Sequence, residues 1–231
     1  MKITVHTRSQ NEELYDKMRS LIPSNINCMQ DKGYSQWEDA VNFLHDAIDN
    51  TQDMLLIVDE DAFVTDWEAI ENLCAFVKNN GYTHSGMPDG GVIRHRSHSY
   101  QHINPFFVVF NCNIINTIKA NLSRKVIDAT VFDKKKGYIK PDWIQGGFSH
   151  DNIEPFAGLF YWLAQNGKPY FLKATTLWDG ISTKVIDPRD PNIGYCLHSW
   201  YSREYAFNPL TKMRIDFTYE VARFNNQLSF I

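Results

Sequence analysis

The chain has 231 residues, 43% of them apolar and 22% charged, and a formal net charge of −4. These proportions suit a soluble globular domain and exclude extended disorder and a coiled coil. They also leave no global basic footprint for nucleic acid, although a local patch stays open. Cys28, Cys74, Cys112 and Cys196 are scattered with no C-x-x-C pair. That spacing excludes zinc ribbons and thioredoxin-like redox motifs and predicts buried thiols in a reducing compartment. The longest apolar runs, Met54–Val58 and Phe106–Phe110, fall far short of the roughly 20 residues needed to span a bilayer. The first residues do not read as a signal peptide. The expectation is a soluble protein of the cytoplasm, bacterial or of a phage-infected host.

In chain order, Lys2–Thr7 alternates and is β-branched, which reads as a strand. Ser9-Gln10-Asn11-Glu12 is a capping-box pattern, followed by Leu14, Met18, Leu21 and Ile22 at helical spacing and stopped by Pro23. Asn25–Met29 reads as a second strand. Ser35-Gln36-Trp37-Glu38 is another capping box, and Trp37, Ala40, Val41, Leu44, Ala47 and Ile48 form one apolar helix face. Met54–Val58 is apolar throughout and predicts a central strand buried on both faces. It runs directly into Asp59-Glu60-Asp61. A third box, Thr65-Asp66-Trp67-Glu68, opens a helix that ends at Asn79-Asn80-Gly81.

The order β-α-β-α-β-α predicts an open parallel sheet with helices on its faces. Beyond it the pattern loosens. Gly81–Ser85 and Pro105–Phe110 read as strands, Asn113–Ala120 and Asp151–Gln165 as helices, and Tyr170–Ala174 as a strand. Lys134–Gly137 reads as a solvated turn, and the remainder as loop-rich around Pro188, Pro191 and Pro209. The Gly86–Asn104 segment carries no period and holds Gly90-Gly91, Arg94, Arg96 and three histidines. It is expected to be a mobile loop over substrate.

The chemistry concentrates at Asp59-Glu60-Asp61. Two carboxylates one residue apart at the end of a buried strand repel each other, which raises one pKa unless a cation lies between them. Mg²⁺ or Mn²⁺ suits such oxygen ligands and clamps a diphosphate. The competing reading is an acidic loop that favours the dipole of the next helix.

On this motif, and on the order of elements before it, the chain resembles the GT-A class of nucleotide-sugar-dependent glycosyltransferases. The resemblance implies an α/β, GT-A-like single domain over 1–231, with a Rossmann-like N-terminal half and a mixed central sheet flanked by helices. About 1–85 would bind the nucleotide and about 86–231 the acceptor. Asp59 and Asp61 match the D-x-D motif that holds Mn²⁺ or Mg²⁺ on a sugar-nucleotide diphosphate, and His198 in Cys196–Arg203 matches the late histidine that completes the metal site. Arg203 would reach a phosphate. Thr7, Arg8, Asp31, Tyr34 and Trp37 fall at the strand ends where this class contacts the nucleoside, although Trp37 also fits a core face. Asn111 and Asn113 follow a strand as sugar-facing amides do in the class, or cap the next helix.

Within Gly146–Glu154, the resemblance implies a general base for the acceptor hydroxyl, Asp151 first and Glu154 second. The same two residues form a capping box. The implied donor is a UDP-sugar by default. The implied acceptor is a hydroxyl on a glycan or, with Arg94, Arg96, Lys134, Lys135 and Lys136 lining a phosphate path, a hydroxylated base in phage DNA. Two other readings stay open: another metal-dependent enzyme such as a nucleotidyltransferase or phosphohydrolase, and a binding module without catalysis. Against a nucleotidyltransferase, the first loop, Thr7-Arg8-Ser9-Gln10, has no glycine.

Overall fold

The structure, a computed structural model, describes residues 1–136, 140–150 and 153–228. The chain begins with strand β1 (Ile3–Arg8), helix α1 (Glu12–Arg19), β2 (Asn27–Asp31), α2 (Asp39–Asp49) and β3 (Met54–Val58). Next come β4 (Ala62–Val64), α3 (Trp67–Asn79), β5 (His84–Pro88), β6 (Ile103–Asn111) and the short helices α4 (Cys112–Ile118) and α5 (Arg124–Asp128). Helix α6 (Ala157–Asn166) leads to β7 (Pro169–Phe171), β8 (Lys173–Thr176), β9 (Thr183–Ile186), β10 (Gly194–His198) and the final helix α7 (Pro209–Leu228).

Six strands form a central sheet in the order β2-β1-β3-β6-β5-β7. β1 pairs parallel with β2 and β3, and β5 with β7, whereas β6 runs antiparallel to both of its neighbours. β1, β2 and β3 are thus parallel and the whole sheet is mixed, both as expected; the antiparallel member enters because the chain returns from β5 to β6 without a crossover helix. A second sheet, β4-β10-β9-β8, is antiparallel throughout.

The period of two along β3 divides the core. Met54, Leu56 and Val58 join Leu14 and Met18 of α1 and Ile70, Leu73 and Val77 of α3 on one face. Leu55 and Ile57 join Phe43 and Leu44 of α2 and Phe160 and Leu163 of α6 on the other. All five β3 side chains are fully buried, each worth roughly 1.5–3 kcal/mol of transfer free energy. The four cysteines are free thiols, three of them buried.

The helices start close to the capping-box patterns but use other caps. Asn11 accepts from the Leu14 N–H at 3.2 Å and Asp66 from the Ala69 N–H at 3.0 Å. The hydroxyls of Ser9 and Thr65 are engaged elsewhere, by Glu60 and the Gly194 carbonyl. Glu38 caps α2 by position with no side-chain bond. α6 starts at Ala157, not near residue 151, because Pro155 disfavours helical geometry at the residue before it.

Three expectations for the second half change. Gly86–Asn104 is packed into the domain, with Asp89, Ser99, Tyr100, Gln101 and His102 buried and a bridge between Gly90 and Ser97, so it does not form a lid. The loop-rich remainder contains most of the second sheet. It also contains α7, for which Pro209 is a first-turn residue rather than a breaker. Gly137 of the expected turn lies outside the described residues.

His84 in β5 gives the fold a pH signature. It is fully buried, its Nδ1 bonds Thr83 Oγ1 at 2.9 Å, and its Nε2 has no partner among the described residues. Burial pushes its pKa down to about 3. The unfolded chain takes up a proton near pH 6.5 that the folded chain refuses until about pH 3. Stability from this group is thus complete above pH 6.5 and falls by up to about 1.4 kcal/mol per pH unit below it. In His84→Phe, Thr83 keeps its bonds to Lys168 and the ring packs against Phe110 and Phe160. Urea unfolding at pH 7 and pH 5 is expected to show a smaller loss of stability on acidification in the variant than in the wild type.

Candidate functional site

β3 ends in the main sheet and β4 begins in the second one, so Asp59-Glu60-Asp61 is the step between two sheets. The C-terminal ends of β1, β2, β3 and β5 and the N-terminal end of β6 share this edge, where ligands on such sheets bind. The three acids face different ways. Glu60 is buried and turns back to the start of α1, where its Oε2 accepts from Ser9 Oγ at 2.7 Å and from the Gln10 and Asn11 N–H groups at 2.8 and 2.9 Å. Burial raises its pKa, and these three bonds oppose the rise.

Asp61 is buried against β10, which pairs antiparallel with β4 and sets His198 opposite Ala62. His198 Nε2 lies 3.1 Å from Asp61 Oδ1, and Ser199 donates to the Asp61 carbonyl from both N–H and Oγ at 3.1 Å. The imidazole stacks on Phe106 at 4.0 Å, and its buried Nδ1 has no partner among the described residues. Asp59 lines the cleft. Burial pushes its carboxyl up to about 6; the Arg8 charge opposes this, and Asp61 adds to it.

Two connected hollows meet at Arg8, Asp59, Ser202 and Arg203. One, of about 330 Å³, is closed by Gln10, Asn11, Tyr34 and Ser35. The other, of about 410 Å³, is closed by Trp37, Asp61, Arg96, Glu154, His198 and Trp200. The guanidinium groups of Arg8 and Arg203 donate no hydrogen bond to any described residue, so two cations and the Asp59 carboxylate line the same hollows. Trp200 and Tyr201 are both left-handed, at φ 61° and 63°. That costs of order 1–3 kcal/mol each in non-glycine residues, and such strain clusters at functional sites. Trp200 is held by Nε1–H to Thr183 Oγ1 at 2.9 Å, and its carbonyl accepts from Arg214 at 3.1 Å.

The structure thus brings Arg8, Tyr34, Trp37, Asp59, Asp61, Glu154, His198 and Arg203 to one cleft. Trp37, expected on a core face, is 42% exposed because α2 begins only at Asp39. Other expected site residues are not there. Thr7 is fully buried, since β1 alternates and turns Arg8 to the cleft instead. Asp31 lies on the correct edge but is engaged by His6 Nδ1 at 2.9 Å. Asn111 and Asn113 lie at the opposite edge. β6 is antiparallel, so Asn111 pairs with Met54 at the start of β3 while Phe107 pairs with Val58. Asn113 instead donates to Asp53. Asp151 lies outside the described residues.

Glu154 precedes α6, which begins at Ala157 with Phe156 at its cap position. Arg96 grips Asp89 with two bonds of 2.6 Å and Glu154 with one of 2.5 Å, while His98 Nε2 is 3.4 Å from the same Glu154 oxygen. Asn104 adds a bond of 2.6 Å to Asp89. Burial raises the Asp89 pKa, and Arg96 opposes this. Asp89, His98 and Glu154 form a three-ligand cluster of the kind that holds a metal ion. Here the Arg96 guanidinium already bonds both carboxylates. Arg96 is therefore an internal counter-ion rather than part of an exposed phosphate path. Sequence reasoning missed Asp89 and Asn104, which carry no local motif and meet only through the β5–β6 return.

The carboxylates make opposite contributions to stability. Glu60→Ala leaves three donors at the start of α1 without their acceptor and is expected to cost about 2–3 kcal/mol in urea unfolding. Asp59→Asn is expected to raise stability at pH 8, where the half-buried native carboxylate is ionised at a desolvated position, and to change it least at pH 4. An equal loss in both variants would contradict this division.

No protein-family model matches the chain, and no curated protein matches it either. Among solved structures, the chain is similar to "A197 from STIV", at 14% identity and a TM-score of 0.38, over 82% of this chain and 91% of that one. It is also similar to "a glycosyltransferase involved in the glycosylation of the major capsid of PBCV-1", at 12% identity and a TM-score of 0.36, over 54% of this chain and 68% of that one. At such scores neither likeness carries weight for function. Among the described residues, no helix is long and apolar enough to cross a membrane.

Proposed function

We propose that this protein is a metal-dependent glycosyltransferase that moves a sugar from a nucleotide-diphosphate donor to a hydroxyl acceptor. One observation carries the reading: the two D-x-D carboxylates and His198 share a cleft with two arginines that have no hydrogen-bond partner among the described residues. Acids alone would suit any cation. Acids beside unpaired arginines suit a cation together with a polyanion, and a diphosphate bridges them.

Asp59 and Asp61 offer oxygens and His198 an imidazole, a donor set that suits a hard divalent ion by chemistry. Asp61 is already bonded to His198 at 3.1 Å, and the three ligand atoms do not lie within 4.8 Å of one another as those of Asp89, His98 and Glu154 do, so an ion would have to draw Asp59 toward that pair. Asp59, Asp61 and His198 would hold Mn²⁺ or Mg²⁺, which when bound offsets the charge building on the departing diphosphate. Arg8 and Arg203 would clamp phosphate oxygens with planar forks. Tyr34, fixed by its hydroxyl to Asp46, and the exposed face of Trp37 would flank the nucleoside. Glu154, oriented by Arg96, would accept the proton of the attacking hydroxyl, with Asp151 the other candidate from the sequence. A UDP-sugar is the default donor. The acceptor is a glycan hydroxyl or a hydroxylated base in DNA. Arg96 is already committed to two carboxylates, which favours the glycan.

A thermal-shift screen with UDP-, GDP-, CMP- and dTDP-sugars, with and without Mn²⁺, tests the reading. A ligand at a hundredfold excess over Kd adds roughly 2.7 kcal/mol, or ~5–10 °C in Tm for a chain of this size. The shift should need both metal and nucleotide. Asp61→Asn should abolish the metal-dependent part, and Arg8→Ala should weaken nucleotide binding by about tenfold. No shift with any donor would overturn the proposal, and metal-dependent release of phosphate without an acceptor would replace it with a hydrolase.

A further inference from the structure

Helix α7 has a buried inner face and an exposed apolar outer face. The inner one, Thr211, Ile215, Thr218, Ala222 and Asn226, is buried. It packs near Phe63 of β4, whose ring meets Tyr219 edge-on at 5.5 Å, and Asn226 donates to the Leu21 carbonyl at 2.8 Å. The outer face carries Leu210, Met213, Phe217 and Phe224, exposed by 73, 64, 54 and 61%, with Val221 half-buried beside them. Trp178, 57% exposed, extends the stripe by packing edge-on against Phe217 at 5.4 Å. At 3.6 residues per turn these α7 side chains form one stripe under a quarter of the helix circumference wide. Nothing in the cleft chemistry uses it.

We propose that this stripe is a homodimer interface, in which α7 packs antiparallel against α7 of a second copy about a two-fold axis at Phe217. The first reason is register. The apolar positions are symmetric about Phe217: Leu210 and Phe224 lie seven residues to either side, Met213 and Val221 four. A two-fold pair centred there sets Phe217 against itself, Leu210 against Phe224 and Met213 against Val221. Every apolar residue then meets an apolar residue, which is the self-complementarity that an isologous interface requires.

The second reason is area. Large apolar side chains bury roughly 150–250 Å² each when aromatic. Four side chains on α7 and Trp178, each more than half exposed, therefore offer roughly 500–600 Å² per copy. That is at the top of the range for a monomer's largest apolar patch and most of the ~800 Å² per partner of a standard interface.

The third reason is charge. The residues flanking the stripe mix signs: Lys212 and Arg223 stand beside Asp216 and Glu220, and pair with acids on their own chain. A basic border, which would draw the stripe onto an anionic lipid surface, is absent among the described residues of α7.

The test is sedimentation velocity on the full chain across concentrations up to ~100 μM, with Phe217→Glu alongside. The wild type should dimerise. The variant, altered only at an exposed position, should keep the melting temperature of the wild type at monomeric dilution and its nucleotide response, while dimerisation weakens roughly 30-fold or more. Register is tested by oxidation: Leu210→Cys and Phe224→Cys chains should cross-link with each other when mixed, and neither should cross-link efficiently with itself. A wild type monomeric throughout overturns the proposal, as does a dimer that Phe217→Glu leaves intact. So does a monomer that floats with phosphatidylglycerol vesicles. Because the readouts are mass and cross-linking, they stand or fall independently of the glycosyltransferase reading.

Discussion

The site depends on one constraint: three consecutive carboxylates lie where the chain leaves the central sheet, and burying them demands partners. Two find partners within the fold. Glu60 takes three donors at the start of α1, and Asp61 takes His198 together with Ser199. Asp59 is the one left facing the cleft with a raised pKa. The outer geometry follows from these pairings. Glu60 ties β3 to the β1–α1 turn and so fixes the neighbourhood of Arg8. Asp61 ties β4 to β10 and so fixes the left-handed Trp200-Tyr201 turn that follows His198. A structural acid thus sits between two acids of the candidate site, and the fold gives each a different task.

A second charged cluster borders the first. Asp89, Arg96, Asn104 and Glu154 come from the β5–β6 return and the approach to α6, and are held by bonds of 2.5–2.6 Å. Its two carboxylates share the Arg96 guanidinium, whereas the Arg8 and Arg203 guanidinium groups have no such partner among the described residues. The contrast separates Arg96, which organises the cleft, from the two arginines left for a ligand. A half-buried cation with two carboxylates fixes geometry at a desolvation cost; a surface cation without a hydrogen-bond partner keeps its capacity to bind.

The second sheet and α7 enclose the site from the C-terminal half. α7 is joined to α1 through Glu13, Lys17, Tyr205, Lys212 and Asp216, and its Arg214 holds the Trp200 carbonyl. The helix that presents an apolar stripe outward therefore also supports the turn beside His198.

Local pattern alone determined the first eighty residues well. The alternation of strand and helix, the burial of Met54–Val58 and the position of Asp59-Glu60-Asp61 at a strand end all follow from periodicity and from an apolar run that stops at charges. Helix starts were legible to within a few residues, but their caps were not, because Ser9 and Thr65 are claimed by groups distant in sequence. Nor could pattern reveal the direction of β6: a fully apolar strand reads the same both ways. That direction moved Asn111 and Asn113 to the far edge and brought Asn104 to the near one. The pairing of Asp61 with His198, 137 positions apart, needs β4 and β10 to be neighbours, and no local spacing encodes that. The sequence by itself determined which residues could carry charge and where the central strand ends. Only the tertiary structure decided which of those charges are paired inside the fold and which are left facing a ligand, because pairing depends on strand order and direction rather than on composition.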